Sequence, residues 1–347
     1  MNSSHPDLRV GIVGAGTNTC LRHIPGLQAL PGVRIVGVVN RTEASSRRVA
    51  ERFGIPRIYR HWREAVEDPE TQAIVIGTWP YLHAPVTIAA LECGKHVLTE
   101  ARMAMNAAEA RAMWEAARRR PQLVAQIVPS PFSLGVDQTV RRLLAEGQLG
   151  TIRYIEHREP GGFLDPDQPL HWRQDIALNG FNIRMLGVVY EMILRWVGEA
   201  TRVMAMGRVF VPYRRREDGS LGAVRIPDHL DVLAELAGGA LLHIQQSAVT
   251  AFQEGAGTWL YGDLGVLVFR DGQLWMGRRG DPGLARLEIP PHERGEWQVE
   301  ADFVAAIRGE RPVRLTTFED GVRYMEFTEA VWRSMQEARE IRLPLFP

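Results

Sequence analysis

The chain has 347 residues, of which 45% are hydrophobic and 24% charged, and its 41 Lys and Arg balance its 41 Asp and Glu. This composition excludes disordered, collagen-like and coiled-coil proteins, and the length favours two domains. A net charge of zero provides no attraction to nucleic acid or to an anionic membrane, so neither is expected as a partner.

The first third of the chain alternates short apolar runs with helical patterns. Leu8–Val13 predicts a buried strand that ends at a glycine turn and leads into a helix over residues 20–30. Val33–Val39 predicts the next strand, and this β–α–β order implies a parallel sheet. The other elements predicted for this domain are strands at 73–77, 96–99 and 123–128 and helices at 44–53, 84–92 and 107–119. The first domain is predicted to span residues 1–128.

Longer strands with looser alternation follow the sequence PSPFS, which begins at Pro129. The predicted strands lie at 152–158, 201–210, 231–237, 240–247, 258–261 and 265–270. The predicted helices lie at 136–146, 183–197, 300–307 and 317–337. Together they predict a C-terminal α+β domain over residues 129–347 with a mostly antiparallel, open sheet. The whole chain is therefore predicted to be an α/β protein.

Targeting signals and metal ligands are not apparent in the sequence. The opening segment has no apolar signal region, and no run of about 18 uncharged apolar residues predicts a membrane span, so a cytoplasmic location is expected. Cys20 and Cys93 are the only cysteines, and no paired Cys and His spacing predicts a metal site. Lys95 is the only lysine, which limits where lysine chemistry can occur.

The turn between the first strand and the first helix contains Gly14 and Gly16. Dinucleotide-binding folds place a pyrophosphate on backbone N–H groups at this position. The third glycine of the usual G-x-G-x-x-G pattern is replaced by Thr19, so a plain strand–turn–helix is the alternative interpretation. Thr17, Asn18 and Thr19 are candidates for contacting phosphate through their side chains.

The end of the second strand carries Asn40 and Arg41. An Asp or Glu here would accept from the ribose 2′-OH of NAD and repel the 2′-phosphate of NADP. A neutral Asn beside a guanidinium removes that repulsion and offers a charge-assisted contact. The sequence therefore favours NADP over NAD, with a solvent-facing surface turn as the alternative.

Several segments along nearly the whole chain resemble the glucose-fructose oxidoreductase, inositol dehydrogenase and rhizopine-catabolism family (Gfo/Idh/MocA). These segments are VGIVGAG, FGIPRIYRHWREAVEDPETQAIVIGT, LHAPVTIAALECGKHVLTE, EGQLGTIRYIE, HWRQD, RWVGEA and DFVAAIRGERPVRLTTFEDGVRYMEFTEAVWRS. The resemblance implies a Rossmann domain, nicotinamide-dependent redox chemistry on a sugar or polyol, and a homodimer or homotetramer formed through the open sheet. It also places Thr78, Trp79, His83 and Glu100 near the cofactor.

The sequence departs from the family pattern where the family has its reactive groups. The family's Glu-Lys-Pro corresponds to Glu100-Ala101-Arg102, so the lysine is absent. The family's acid and histidine on a later helix correspond to Met185 and Val189, and neither can accept a proton. Tyr190 directly follows the vacant histidine position and is the preferred substitute. Glu191 is the alternate, because successive residues on a helix point in different directions.

Other candidate residues lie at the end of a strand and in a loop. Arg102 follows the strand at 96–99, where it could clamp a carboxylate or phosphate and so suggests an acidic substrate. His171 and Arg173 precede the altered helix motif and are candidates for orienting a ligand or moving a proton. Solvated or structural roles are the alternatives for each of them.

These observations favour an NAD(P)-dependent oxidoreductase that acts on a hydroxyl of a sugar, cyclitol or related acidic hydroxy compound, with a proton-transfer residue that differs from the family's. One alternative is a protein that kept the fold and lost the chemistry, acting as a ligand or cofactor sensor or as a partner-binding protein. The other is a nicotinamide-assisted lyase or glycosidase.

Overall fold

The computed structural model describes residues 7–346, which form two compact units. The first unit extends to Pro129 and also includes Gln298–Val322, and the second comprises Ser130–Trp297 and the residues from Arg323 onward. The sequence analysis assigned residues 298–322 to the second domain, whereas this segment packs with the first unit. One of its anchors is Glu300, which hydrogen-bonds to His23.

The first unit contains a six-stranded parallel sheet in the order β3-β2-β1-β4-β5-β6. Its strands are β1 (Leu8–Val13), β2 (Val33–Val39), β3 (Arg57–Ile58), β4 (Ala73–Ile76), β5 (His96–Thr99) and β6 (Ala125–Ile127). All four residues of β4 are buried, as expected for a strand covered on both faces. This is the parallel Rossmann sheet that the sequence analysis predicted, and it brings the carboxyl ends of β1, β2 and β4 to one edge.

The helices of the first unit alternate with these strands along the chain. They are α1 (Ile24–Gln28), α2 (Glu43–Phe53), α3 (Trp62–Glu67), α4 (His83–Glu92) and α5 (Ala107–Arg118). The helix predicted over residues 20–30 is not regular, because a π-helical turn at Thr19–His23 precedes α1. The Ile24 N–H bonds to the Thr19 carbonyl, five residues back, which is the π-helical spacing. The next residue, Pro25, has no N–H to donate to the carbonyl four residues earlier.

The second unit contains a nine-stranded sheet in the order β16-β15-β14-β13-β7-β12-β11-β8-β17. Its strands are β7 (Ile152–Glu159), β8 (Ala200–Arg208), β11 (His229–Leu236), β12 (Leu241–Ser247), β13 (Gly257–Gly262), β14 (Gly265–Arg270), β15 (Gln273–Arg278), β16 (Ala285–Leu287) and β17 (Ile341–Arg342), and β9 (Tyr213–Arg215) pairs separately with β10 (Leu221–Ala223). Among the described strands of this nine-stranded sheet, only β7 and β12 pair in parallel. The predicted mostly antiparallel sheet is confirmed.

The remaining helices complete the two units. They are α6 (Asp137–Ala145), α7 (Ile176–Asn179) and α8 (Leu186–Val197) in the second unit, α9 (Val299–Ile307) in the first, and α10 (Phe318–Glu337), within which the division falls. Within residues 7–346, no helix combines the length and the apolar composition needed to cross a bilayer. The same residues contain no group of three or more His, Cys, Asp or Glu side chains placed to hold a metal ion.

Candidate functional site

A groove of about 520 Å³ opens at the carboxyl edge of the parallel sheet in the first unit. Gly14 and Gly16, directly after β1, form its floor, and Asn40 and Arg41, directly after β2, form one side. The segment after β4 supplies the opposite side. Open parallel sheets bind their ligands at this edge, where the strand order reverses between β1 and β4.

Gly14 is required by both the backbone conformation and the space around it. Its φ is +85°, in the left-handed region, and a Cβ built on it would lie 2.6 Å from the Thr78 amide nitrogen. Gly16 is exposed, and a Cβ there would have only the Gly77 carbonyl oxygen nearby, at 3.5 Å. Its missing side chain leaves the backbone of the turn open to the groove, so the turn fits the phosphates of a dinucleotide.

Thr19 is accommodated at the position of the third glycine because the neighbouring strand end has no side chain. Thr19 is 1% exposed, and its hydroxyl donates to the Gly14 carbonyl oxygen at 3.2 Å. A Cβ on Gly77 would lie only 2.0 Å from that hydroxyl, so Gly77 provides the room that a third glycine usually provides. The suggestion that Thr19 contacts phosphate is therefore wrong, since its side chain is buried against the turn. Thr17 is exposed, and its phosphate contact stays a prediction.

Asn40 braces the glycine turn. Its Oδ1 accepts the Ala15 N–H at 2.6 Å, and its Nδ2 donates to the Ser45 hydroxyl at 3.0 Å. Arg41 is exposed, and its guanidinium carbon lies 5.2 Å from the centre of the Trp79 ring. The described residues that line the groove include no Asp or Glu. A phosphate on the ribose would thus meet no carboxylate there.

A buried ionic cluster lies behind the turn. The ring of His23 is bonded through Nδ1 to Glu300 at 2.5 Å and through Nε2 to Glu100 at 3.0 Å, and Asn18 donates its amide to Glu100. Burial lowers the pKa of His23, but its hydrogen bonds to the two carboxylates outweigh burial and raise the pKa to about 9. Burial also raises the pKa of Glu100, but the bonds from His23 and Asn18 lower it overall. The Asn18 side chain therefore supports Glu100, and contact of Asn18 with phosphate stays a prediction.

His83 connects two strand ends at the same edge. One ring nitrogen lies 2.9 Å from the Arg102 carbonyl oxygen, and the other lies 2.9 Å from the Thr78 carbonyl oxygen. The side chain is 1% exposed, and burial lowers its pKa. Thr78 and Trp79 line the groove, whereas His83 holds the backbone behind it. Arg102 is 2% exposed, and its role as an anion clamp stays a prediction.

The only lysine is engaged in the structure of the first unit. The Lys95 ammonium donates to the carbonyl oxygens of Asp68, at 2.9 Å, and Thr71, at 2.6 Å. Lys95 is 8% exposed, and burial lowers its pKa. Both bonds tie it to the loop that precedes β4, at the opposite end of that strand from the groove.

Tyr190 is part of the core of the second unit, which corrects the suggestion that it acts as a base. It is 2% exposed, its ring stacks on Phe327 with centroids 3.6 Å apart, and its hydroxyl oxygen accepts the Ala200 N–H at 2.8 Å. Burial raises its pKa well above the ordinary value. A phenol in this environment holds its proton and has no open approach for a substrate.

Glu191, the alternate base, also has a structural role in the second unit. It is 5% exposed, accepts the Ser130 N–H at 2.5 Å and pairs with Arg195 at 2.9 Å. Arg195 also pairs with Asp137 at 3.1 Å. Glu191 therefore fixes the start of the second unit to α8, and we withdraw its proposed role in proton transfer.

His171 and Arg173 lie together in an exposed turn of the second unit. The His171 Nδ1 accepts the Arg173 N–H at 3.3 Å and caps a one-turn helix at Trp172–Gln174. The Arg173 guanidinium carbon lies 4.2 Å from the centre of the Trp172 ring. These contacts give both side chains a structural role within the turn. Their role in ligand binding stays a prediction.

Some residues that line the groove were not identified by the sequence analysis, among them a run of three polar and aromatic side chains. Arg60, His61 and Trp62 follow β3 and reach the same edge of the sheet. Because β3 has only two residues, its sequence shows no periodicity that would have revealed a strand end here.

Comparison with known proteins agrees with this architecture. A family model described as "Oxidoreductase family, NAD-binding Rossmann fold" matches residues 8–127, and one described as "GFO/IDH/MocA C-terminal domain" matches residues 138–268. A solved structure of levoglucosan dehydrogenase in complex with NADH and L-sorbose superposes with a TM-score of 0.86 at 23% identity, over 97% of this chain and 99% of that one. At this identity the superposition shows the fold alone.

Two curated relatives illustrate the sequence similarity. Levoglucosan dehydrogenase of Pseudarthrobacter phenanthrenivorans is 30% identical over 207 residues, which cover 57% of this chain and about half (51%) of that protein. The dTDP-3,4-didehydro-2,6-dideoxy-alpha-D-glucose 3-reductase of Streptomyces antibioticus is 28% identical over 331 residues, covering 94% of this chain and 96% of that protein. Together with the two matched domains, these findings show that the chain belongs to the Gfo/Idh/MocA family of oxidoreductases.

Proposed function

We propose that this chain is an oxidoreductase that uses NADP(H), or less favourably NAD(H), to act on a hydroxyl of a sugar-like or cyclitol compound. The groove at the carboxyl edge of the parallel sheet carries this proposal. It combines an open glycine turn at Gly14 and Gly16 with a lining that, within residues 7–346, includes no carboxylate. The relatives named above support a sugar-like substrate, since their names refer to levoglucosan and to a sugar nucleotide.

Different residues of the groove would hold different parts of a bound dinucleotide. The backbone at Gly14 and Gly16 would hold the pyrophosphate, and Asn40 would hold the ribose next to β2 while it braces the turn. Thr78 and Trp79 would line the opposite side of the groove. When bound, a nicotinamide exchanges a hydride with the substrate carbon that carries the hydroxyl. Glu100, kept ionised by His23, presents a fixed negative charge at the end of β5.

The preference for NADP rests on charge. Arg41 and Arg60 line the same groove, and a 2′-phosphate would meet two guanidinium groups and no opposing carboxylate from the part of the chain that the structure describes. Arg41 also lies over the Trp79 ring, which limits its freedom before a phosphate binds.

Calorimetric titration with NADP⁺ and NAD⁺, on protein shown to be free of copurified nucleotide, tests this proposal. We expect Arg41→Ala to weaken NADP⁺ binding by about tenfold or more, the value of one charge-assisted hydrogen bond, and to leave NAD⁺ nearly unchanged. Arg47→Ala is the matched control, because Arg47 is exposed on α2 and pairs with Glu43 at 2.7 Å, outside the groove. A folded chain that binds neither nucleotide would contradict the proposal.

A second candidate function, a ligand or cofactor sensor, is favoured by the missing lysine. The family resemblance aligns Ala101 with the family's lysine, and Lys95 is tied to backbone carbonyls. Hydride exchange between bound nucleotide and any member of a sugar and cyclitol panel, followed at the reduced-nicotinamide absorbance band, would exclude the sensor. Product formation without net absorbance change would instead support a nicotinamide-assisted lyase or glycosidase.

We also propose a symmetric homodimer or homotetramer formed through the uncovered face of the nine-stranded sheet. Met204, Met206, Leu233 and Leu241 are 52–79% exposed there, and Leu233 is the cross-strand neighbour of Met204. Apolar side chains gathered on a sheet face are typical of interfaces. Light scattering should give a mass above that of one chain, and Leu233→Arg should lower it. A monomeric wild type would contradict this.

A further inference from the structure

The segment after β3 lies on the ribose side of the groove in the first unit. In the sheet order β3-β2-β1-β4, strand β3 neighbours β2 on the side away from the glycine turn after β1. Arg60, His61 and Trp62 follow β3 and line the groove. Because Asn40 at the end of β2 would hold the adenosine ribose, this segment is the next part of the chain that a group attached to that ribose can meet.

The ring of His61 is held in one tautomer. Its Nδ1 accepts the Arg63 N–H at 3.2 Å, so in the neutral ring the hydrogen is on Nε2. Within residues 7–346 this is the one hydrogen bond of the ring, which also lies against Trp62 with the ring centroids 5.3 Å apart. The side chain is exposed. The Nε2–H group is therefore available to donate to a ligand in the groove.

The charged and titratable groups in the elements that border this part of the groove are mostly cations. They are Arg41 after β2, Arg60 after β3, Arg63 and Glu64 in the first turn of α3, Tyr81 after β4, and the pair of Glu43 and Arg47 on α2. Glu64 Oε2 accepts the Arg60 N–H at 2.9 Å, and neither Glu64 nor Glu43 lines the groove. Among the described residues, a phosphate beside His61 would meet guanidinium groups and no carboxylate.

NADP differs from NAD by one phosphate on the ribose, and this phosphate is a strong test of a histidine. A phosphate monoester loses its second proton near pH 6. Histidine is the side-chain type that ordinarily changes charge between pH 5 and 8, whereas arginine and tyrosine ordinarily titrate above this range. A doubly charged phosphate beside an imidazole favours the imidazolium form, whose N–H makes a charge-assisted hydrogen bond.

Charging the ring of His61 also changes its bond to the backbone. A proton on Nδ1 removes the acceptor for the Arg63 N–H, so only the neutral ring makes this bond. The phosphate supplies a negative charge that offsets the loss of the bond. NAD has no phosphate at this position, so its binding provides no such compensation.

We propose that His61 selects NADP over NAD in a pH-dependent manner, by taking up a proton from the solvent when the 2′-phosphate binds. Arg41 and Arg60 attract the phosphate throughout the range from pH 6.5 to 8.5, and His61 adds a positive charge at the lower end of it. The inference rests on the proposed function, since it adds a specificity-determining residue to the same groove. NADP binding should thus strengthen as the pH falls, whereas ionisation of the phosphate alone would strengthen it as the pH rises.

Calorimetric titration of the full chain with NADP⁺ and NAD⁺ at pH 6.5, 7.5 and 8.5, at constant ionic strength, tests this inference. The measured quantity is the ratio of the NADP⁺ affinity to the NAD⁺ affinity, because effects common to both nucleotides, such as titration of His23 behind the turn, cancel in it. We expect the ratio to fall by about fivefold or more from pH 6.5 to 8.5, since a charge-assisted hydrogen bond is roughly twice as strong as a neutral one. Titrations at pH 7.5 in buffers of different ionisation enthalpy should show more protons taken up with NADP⁺ than with NAD⁺.

His61→Asn separates the charge of the side chain from its structural bond. The Asn side-chain oxygen can accept the Arg63 N–H, as Nδ1 of His61 does, but an amide does not titrate. We expect the variant to lose both the fall of the ratio with pH and the additional proton uptake. His292→Asn is the matched control, since His292 is 81% exposed and outside the groove lining, and it should keep both. Unfolding midpoints establish that each variant is folded.

A wild-type ratio that is constant or rises with pH would overturn the inference, and so would an equal fall of the ratio in His61→Asn. Equal proton uptake with the two nucleotides would contradict it as well. These outcomes leave the proposed function standing, because both nucleotides still bind. A folded chain that binds neither nucleotide at any of the three pH values would contradict the proposed function and, with it, this inference.

Discussion

The groove of the first unit and the cavity of the second are built from different parts of the chain. The groove depends strongly on backbone, since the missing side chains of Gly14, Gly16 and Gly77 leave the space at the glycine turn. The cavity, of about 390 Å³, is shaped by side chains, with His157 and Glu159 lining it from β7 and Met185 and Val189 lining it at the start of α8. The groove therefore depends on backbone conformations that few residues can adopt. The cavity depends on which side chains the fold brings together.

This difference has a consequence for substitution. A backbone-built site tolerates changes of side-chain chemistry, provided that the turn keeps its conformation, as Thr19 does next to Gly77. A side-chain-built site keeps its shape through conservative changes yet can change its ligand with one residue. The four predictions that follow test this contrast.

The largest change in stability is expected at His23, a buried side chain on which the otherwise backbone-built region of the first unit depends. His23→Leu should lower the free energy of unfolding by about 3–5 kcal/mol, because Glu100 and Glu300 would remain buried without their shared cation. Denaturant unfolding measures this change. His292→Leu is the control, with a side chain that is 81% exposed, and should change stability by less than about 0.5 kcal/mol. Equal losses in the two variants would show that the cluster is not a source of stability.

The same cluster should make stability depend on pH. The pKa of His23 is about 9 in the folded protein and 6.5 ordinarily, so its stabilisation is fully present below pH 6.5 and is lost as the pH rises through 9. The loss should approach about 3 kcal/mol, because a pKa difference of one corresponds to about 1.4 kcal/mol. Denaturant unfolding at pH 6.5 and pH 9.5 measures it, and His23→Gln should reduce the difference. An identical pH dependence in both proteins would remove His23 as the cause.

Gly14→Ala tests the backbone construction directly. The new Cβ would lie 2.6 Å from the Thr78 nitrogen at a φ of +85°, so the turn must move, and nucleotide affinity should fall by at least about tenfold. Gly54→Ala is the matched control, since Gly54 has a φ of +66° and no atom within 4 Å of a built Cβ. It should cost about 1 kcal/mol of stability and leave nucleotide affinity unchanged. Calorimetric titration of both variants compares them, and equal affinities would mean that the turn does not hold the nucleotide.

The smallest effect is expected at Tyr190. Tyr190→Phe removes the acceptor for the buried Ala200 N–H and should lower stability by about 1 kcal/mol. Stacking on Phe327 is retained, and turnover on any substrate that the wild type uses should be unchanged. Thermal unfolding and initial rates measure the two effects. A large loss of turnover with the fold intact would restore Tyr190 as a base.

The sequence predicted the parallel sheet of the first unit well because its strands are continuous apolar runs between glycine turns. β1 and β2 have the bounds that their sequences predicted. The short strands β3 and β16 were not predicted, because segments of two or three residues show little periodicity. The β15 strand was also missed, although its buried Leu274 and Met276 alternate as in a half-buried strand.

The site residues predicted near the glycine turn lie together in the structure, whereas those predicted on α8 are buried away from any open groove. Gly14, Asn40 and Arg41 were predicted to lie together, and they line one groove. Tyr190 and Glu191 were chosen because they follow the vacant histidine position, but both side chains are buried in the second unit. Helical spacing shows which residues share a face, and it does not show which neighbours that face meets.

The sequence by itself determined the family, the parallel sheet and the glycine turn, because these depend on local periodicity and on conformations that glycine favours. Only the tertiary structure decided that Glu300 holds His23 across 277 positions of the chain, and that β7 and α8 enclose a cavity. The pKa of a buried group and the lining of a cavity arise from contacts between distant segments. No local pattern encodes those contacts, so they appear only when the chain is folded.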